Sequence, residues 1–405
     1  MSLTIKNLFL PLLLFVSFSL HGQELPPIDI QKAGFSEERI ARLSAYLNQE
    51  IEKGDLAGAV SLIVRNGVTA HYQSYGLSHL SESDPMQKDQ LFFIQSMTKP
   101  IISVAFMMLY EEGHFDLNDP LENYLPAFAD MQVQSSENET DSLKEPIRIW
   151  HLLSHTAGLS HGLGSSELDK KYRESLYMQQ HQNIEDRVNV LPKLPLVGQP
   201  GEQWYYSAAP DVLSLLIEQF SGMNTAEFLQ TRIFDPLGMQ DTGYNVAEDK
   251  KERVVGLHIK NQAGELSLSE RQTPTTGNTI YGGTHGLFST AEDYMRFCRM
   301  LLNKGELGGK QLLSPKTVEL MTINHVGDFF GDGYGFGLGF SVRTELSEPK
   351  ALGSVGTFGW SGAYNTYFFI DPQEELIGIL MTQFAPYTDF YSKKFQQLVY
   401  QAIIE

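Results

Sequence analysis

The chain has 405 residues, of which 42% are hydrophobic and 20% charged. That composition is globular and long enough to enclose a large core, which excludes disordered, collagenous and low-complexity proteins. Acidic residues outnumber basic ones 49 to 30, and the formal net charge of −19 repels nucleic acid and anionic membrane surfaces.

In chain order, the first feature is an export signal. Lys6 precedes an apolar run from Leu8 to Leu20, broken by Pro11 and two serines and followed by His21-Gly22-Gln23. The run is too short to span a bilayer comfortably and reads as a signal peptide over residues 1–22, cleaved after Gly22. No cysteine follows it, so no lipoprotein anchor is built. The expectation is a periplasmic or secreted protein with no stable membrane anchor once the signal is removed.

Ser36 followed by Glu37-Glu38 marks the start of a helix to Lys53. Ala57 to Val64 and Val68 to Tyr75, joined through Asn66-Gly67, read as a β-hairpin. Phe92-Phe93-Ile94 leads into a helix that runs to Glu112 and stops at Gly113. Helical patterns recur at 211–220 and 225–233, and 135–142 reads as a solvated loop. Strands return at 335–342, 365–370 and 376–382, and a helix from Tyr387 to Ile404 closes the chain. The lone cysteine, Cys298, sits among apolar-periodic neighbours and reads as core; one thiol makes no disulfide framework and no Cys-based metal site.

Strands at both ends with helices between predict an α/β fold, with one antiparallel sheet built from both termini and flanked by helices. A mainly helical subdomain is inserted. The expected division is an α/β part at about 30–118 and 281–405, a helical insertion at about 119–280, and one domain over 23–405.

Three stretches carry chemistry. In Ser96-Met97-Thr98-Lys99, the serine and lysine share a face at i and i+3. A serine hydroxyl needs a base, and a buried lysine can be one because desolvation penalises the ammonium form. Pro100 fits the first turn of the helix behind. In Pro200-Gly201-Glu202-Gln203-Trp204-Tyr205-Tyr206-Ser207, Tyr206 closes a loop before a helix and can relay a proton, with Lys99 as a cation that would hold its pKa down. In Phe358-Gly359-Trp360-Ser361-Gly362-Ala363, glycine-flanked backbone can approach a substrate, and its N–H groups are candidates for an oxyanion hole. Each stretch is weak alone. Ser347-Glu348-Pro349-Lys350 is a second Ser-x-x-Lys match, dismissed for its turn-like setting.

Together and in this order, the three resemble the serine β-lactamase/penicillin-binding-protein superfamily on its class C side. Ile149 to Leu159 and Gly286 to Asp293 add to the resemblance, which covers about residues 35–400. Phe92 to Pro100 and Phe358 to Ala363 look most like the family VIII carboxylesterases. The resemblance implies a β-lactamase/transpeptidase-like fold with the site between the sheet and the helical subdomain. It makes Ser96 the nucleophile, Lys99 and Tyr206 the base system, and the backbone N–H groups of Ser96 and Ala363 the oxyanion hole. Trp360, Ser361, Gly362, Ala208 and His285 would contact substrate, a small-molecule ester or acyl compound. No metal or organic cofactor is required.

Two positions depart from the pattern. Ala208 stands where an asparagine often contacts substrate. Trp360-Ser361-Gly362 replaces the Lys-Thr-Gly of class C β-lactamases, and losing that charge-assisted contact costs about 1.5–3 kcal/mol. The expected activity is therefore that of a carboxylesterase on neutral esters. A D-Ala-D-Ala-type peptidase or weak β-lactamase is the alternative, and a non-catalytic cell-wall peptide-binding protein is a third reading. Other signals are set aside. Gly158-Leu159-Ser160-His161-Gly162 matches a nucleophile elbow but lacks the strand before and the helix after. His151 and His155 have metal-ligand spacing without a completing residue.

Overall fold

The computed structural model describes residues 25–405 except Asn138, Gln262 and 346–349. The expected signal segment and Ser347 of the second Ser-x-x-Lys match lie outside the described residues.

Helix α1 (Glu37–Glu52) starts where Ser36 caps it, the serine oxygen accepting the N–H of Arg39. Strands β1 (Gly58–Arg65) and β2 (Val68–His79) follow, and Asn66 and Gly67 both take positive φ, as a two-residue hairpin turn requires. A short β3 (Asp84–Pro85) pairs with β2. After α2 (Thr98–Glu111) the chain leaves the sheet for a mainly helical region containing α3 (Ile149–Leu153) and α4 (Ala209–Ser221). It returns through α5 (Ala291–Leu302) to β4 (Tyr334–Phe336), β5 (Ser341–Arg343), β6 (Phe358–Ser361), β7 (Tyr367–Asp371) and β8 (Leu376–Met381), and ends in α6 (Phe390–Tyr400).

The eight strands form one sheet in the order β4-β5-β6-β7-β8-β1-β2-β3. The two ends of the chain meet at its centre, where β1 pairs antiparallel with β8 from Val60↔Met381 to Arg65↔Leu376. Side chains alternate between faces along a strand, so β1 feeds two cores. Ala59 and Ile63 pack with α1 and α6 through Leu43, Leu47, Phe395 and Val399. Val60 and Leu62 belong to the larger core, which takes in α2, α4 and α5. Residues Thr98 to Leu109 of α2 are all buried, and each large apolar side chain there contributes about 1.5–3 kcal/mol. Cys298, on α5, is fully buried as expected.

Three elements differ from expectation. The strand expected at 335–342 is two strands, β4 and β5, turning back at Gly337–Phe340. Gly339 has φ +102°, and a Cβ on Gly337 would lie 2.1 Å from the Met321 carbonyl oxygen. The final helix is shorter than 387–404. Its last residues trade helical bonds for cross-chain ones, with Ser36 N–H on the Ala402 carbonyl and Ile404 N–H on that of Gly34. The expected loop 135–142 is in part strand: Thr140–Ser142 pairs with Gln132–Gln134 as a small hairpin.

Candidate active site

The turn carrying Ser96 is fixed before α2 begins. Phe92–Phe93 pairs with Phe288–Ser289, the Ile94 N–H bonds the Leu287 carbonyl at 3.0 Å, and Tyr294 donates to the Met97 carbonyl at 2.9 Å. Gln95 sits in the left-handed region at φ 49°, an uncommon conformation that points to a functional constraint on the turn. Ser96 is left half-buried at the head of α2, with Lys99 one turn on.

Lys99 is 2% exposed. Its Nζ lies 3.1 Å from Ser96 Oγ and donates to the Thr284 carbonyl at 2.7 Å. Burial, opposed by Asp211 and assisted by Arg187, lowers its pKa to about 7. A neutral amine has one lone pair. With one N–H committed to Thr284, that pair is free for the serine proton.

The Tyr206 hydroxyl donates to the same Ser96 Oγ at 2.7 Å, and Lys99 Nζ sits 4.5 Å from the centre of the tyrosine ring. Burial pushes the Tyr206 pKa up to about 12. The expectation that a neighbouring cation would hold it down is therefore corrected: desolvation wins, and at neutral pH Tyr206 is a phenol that gives a proton rather than a phenolate that takes one. His155 holds its loop. The His155 carbonyl accepts the Tyr205 N–H at 2.8 Å, and its Nδ1 accepts the Ser207 N–H at 3.2 Å. His161 stacks on the Tyr206 ring at 5.2 Å and meets the Tyr177 hydroxyl at 2.9 Å.

The glycines of the third stretch are steric requirements. A Cβ on Gly362 would fall 2.2 Å from Thr366 Oγ1 and 2.4 Å from the Ile94 carbonyl oxygen, so only glycine lets the end of β6 close on the serine turn. Ala363, next in the chain, is exposed. Trp360 lies 5.6 Å from the Tyr206 ring, and its indole works against the rise in the tyrosine pKa that burial causes. Ser361 Oγ is 3.2 Å from the Tyr387 hydroxyl. His285 is half-buried beside Arg187, at 3.5 Å, with the rings of Phe93 and Tyr177 around it. Ala208 is the residue that departs: it is fully buried in the large core, and its methyl group presents nothing to a substrate.

Sequence reasoning missed the support behind the lysine. Asp211 Oδ1 accepts the Thr284 N–H at 2.8 Å, while its Oδ2 pairs with Arg187 Nε at 3.0 Å. Both side chains are buried, at 0% and 5% exposure, so the pair pins the loop whose carbonyl holds Lys99. Asp211 lies five residues after Tyr206 and faces the site from α4; that proximity was its only sequence signal.

The signals set aside have structural roles. Ser160 donates to Asp169 at 2.6 Å and accepts the Gly162 N–H, within a loop. His151 Nδ1 accepts the Arg148 N–H. No group of three metal-ligating side chains is present among the described residues.

A hydroxyl shared by a buried amine and a phenol, set between a two-ended antiparallel sheet and a helical region, is the arrangement of an active-site-serine hydrolase. Comparison with known proteins agrees. A family model described as Beta-lactamase matches residues 43–401. Protein Rv1367c of Mycobacterium tuberculosis is 32% identical over 361 residues, covering 84% of this chain and 89% of that one. Esterase EstB of Burkholderia gladioli is 28% identical over 373 residues, covering 85% and 90%. Among solved structures, EstCE1, described as a hydrolase with promiscuous acyltransferase activity, superposes with a TM-score of 0.79 at 25% identity, covering 90% of this chain and 98% of that one. The chain belongs to the beta-lactamase family and is a serine hydrolase of the β-lactamase/penicillin-binding-protein superfamily.

Proposed function

We propose that the protein is an exported carboxylesterase that cleaves neutral esters through an acyl-enzyme on Ser96. The observation that carries this reading is the convergence of Lys99 Nζ and the Tyr206 hydroxyl on Ser96 Oγ, at 3.1 and 2.7 Å.

In acylation, neutral Lys99 takes the hydroxyl proton as Ser96 Oγ bonds to the ester carbonyl carbon. The N–H groups of Ser96 and Ala363 receive the developing oxyanion. When the intermediate collapses, the carbon–oxygen bond to the alcohol breaks. Tyr206 gives its proton to the departing oxygen and is restored from the Lys99 ammonium. In deacylation neutral Lys99 takes a proton from a water as its oxygen bonds to the acyl carbon, and Ser96 Oγ leaves with a proton from Tyr206, which the Lys99 ammonium restores. Protons balance over the cycle, and one ester and one water become one acid and one alcohol.

Preference for esters is supported by Trp360 in place of a lysine, which leaves no cation in the third stretch for a substrate carboxylate. The similar proteins point the same way: EstB is an esterase, and EstCE1 is a hydrolase with promiscuous acyltransferase activity. Export rests on the sequence pattern of residues 1–22 alone; N-terminal sequencing of protein recovered outside the cytoplasm tests it. Turnover of p-nitrophenyl acetate, nitrocefin and a D-Ala-D-Ala peptide tests the chemistry. Ester hydrolysis well ahead of the other two is expected, and nitrocefin turnover without ester hydrolysis overturns the choice.

A further inference from the structure

A groove of about 1290 Å³ opens beside Trp204, two residues before Tyr206 in the chain. Trp204 connects it to the site: its ring is 6.0 Å from that of Tyr206 and 4.7 Å from that of Phe330. Phe330, Tyr334, Leu352 and Phe390 carry the groove outward. Leu352 and Phe390 are 48% and 49% exposed, which is uncommon for neighbouring large apolar side chains on one surface.

The outer wall is built into the fold. Arg343 is 1% exposed, and its guanidinium donates to the carbonyls of Glu345, Ala351 and Leu352. Gly353 packs so close that a Cβ would lie 2.4 Å from Arg343 Nη1. At the rim stand Lys350, Lys393 and Lys394, with Asp332 and Asp389. Lys393 is tied to Asp389, and Lys394 bonds Gln397. Lys350 has no carboxylate partner among the described residues. Three lysines against two aspartates leave the rim one positive charge in excess, in a chain whose overall charge is −19.

Which arm of an ester enters follows from proton bookkeeping at the site. The alcohol oxygen must meet the group that protonates it, and that group is Tyr206. The alcohol arm then leaves the reacting carbon on the Tyr206 side, where Trp204, its ring 6.0 Å from that of Tyr206, is the link to the groove. We propose that the groove is the alcohol subsite, and that the preferred substrates are esters of extended apolar alcohols bearing a distal carboxylate or other anion that meets the lysine rim. This rests on the carboxylesterase reading above and revises its substrate class: uncharged beside the reacting carbonyl and Trp360, anionic only at the far end of the alcohol.

The test is a series of acetates that share one acyl group: ethyl acetate, octyl acetate and 8-acetoxyoctanoate, followed by titration of released acid. Each methylene removed from water contributes about 0.8 kcal/mol, about fourfold, so even partial entry predicts kcat/KM for octyl acetate at least about tenfold above ethyl acetate. A further gain of about two- to fivefold for 8-acetoxyoctanoate, lost in 0.5 M salt, is expected from rim lysines. Phe330→Ala should erase most of the octyl advantage through KM. Lys350→Glu should erase only the carboxylate gain. Equal kcat/KM across the three acetates, or a preference that follows acyl length in a matched series of ethyl esters, overturns the subsite. Failure to hydrolyse any ester, ethyl acetate and p-nitrophenyl acetate included, instead overturns the carboxylesterase reading itself.

Discussion

Lowering the pH from 8 to 6 should switch the enzyme off through one amine. Lys99 is buried, and desolvation brings its pKa to about 7. A pKa lowered from the ordinary lysine range means the neutral base exists above pH 7 and is lost as pH falls through it. The neutral fraction is about 0.91 at pH 8 and about 0.09 at pH 6, so kcat/KM should fall about tenfold between them. No other group at the site mimics this. His155, His161 and His285 are each held well below the usual histidine value, chiefly by burial, and stay neutral across the window. Tyr206, pushed up to about 12, stays protonated. The assay is initial-rate hydrolysis of p-nitrophenyl butyrate from pH 5 to 9.5, read at the isosbestic wavelength of p-nitrophenol. A single ascending limb with a midpoint near 7 is expected. A profile flat from 6 to 8, or a midpoint close to 10, would refute the reasoning, because it would mean that burial does not set the base.

Three substitutions probe the supports. Tyr206→Phe keeps the ring in its aromatic surroundings but removes the proton donor; kcat should fall by about 10²- to 10⁴-fold with an unchanged circular dichroism spectrum. Gly362→Ala drives a methyl group against the Ile94 carbonyl and should move the end of β6 off the serine turn; a loss of about 10²-fold in kcat/KM is expected, and near-wild-type rates would contradict the steric argument. Asp211→Asn leaves Arg187 buried without its counter-charge and should cost about 3–5 kcal/mol by urea denaturation.

The parts of the fold that were legible in the sequence are those dictated by neighbours along the chain. Asn66-Gly67 predicts its turn because both residues tolerate positive φ, and Ser36 predicts its helix because a hydroxyl caps the free N–H groups. The apolar run behind Ser96 reads as a buried helix because no polar face interrupts it. Ser96, Lys99 and Tyr206 were found as ordered motifs, and the structure places the last 110 residues down the chain at hydrogen-bond distance from the first. What stayed hidden depends on contacts between distant segments. Thr284 acts through a carbonyl, which every residue has, so no side-chain type announces it. Arg187 and Asp211 look like surface charges until the fold buries them together. Ala208 was misjudged because its place in the motif was carried over from a longer side chain; a methyl group there simply joins the core. The run 335–342 alternates like one strand, but its glycines allow a reversal that alternation cannot reveal.

The central claim is that Ser96 is the nucleophile because Lys99 and Tyr206 share its oxygen. Mass spectrometry of the folded protein after a fluorophosphonate probe or a brief pulse of p-nitrophenyl acetate tests it most directly. The account predicts one adduct, on the peptide containing Ser96, absent in Ser96→Ala and markedly slowed in Lys99→Met. An adduct on Ser160, or ester turnover that survives in Ser96→Ala, would contradict it.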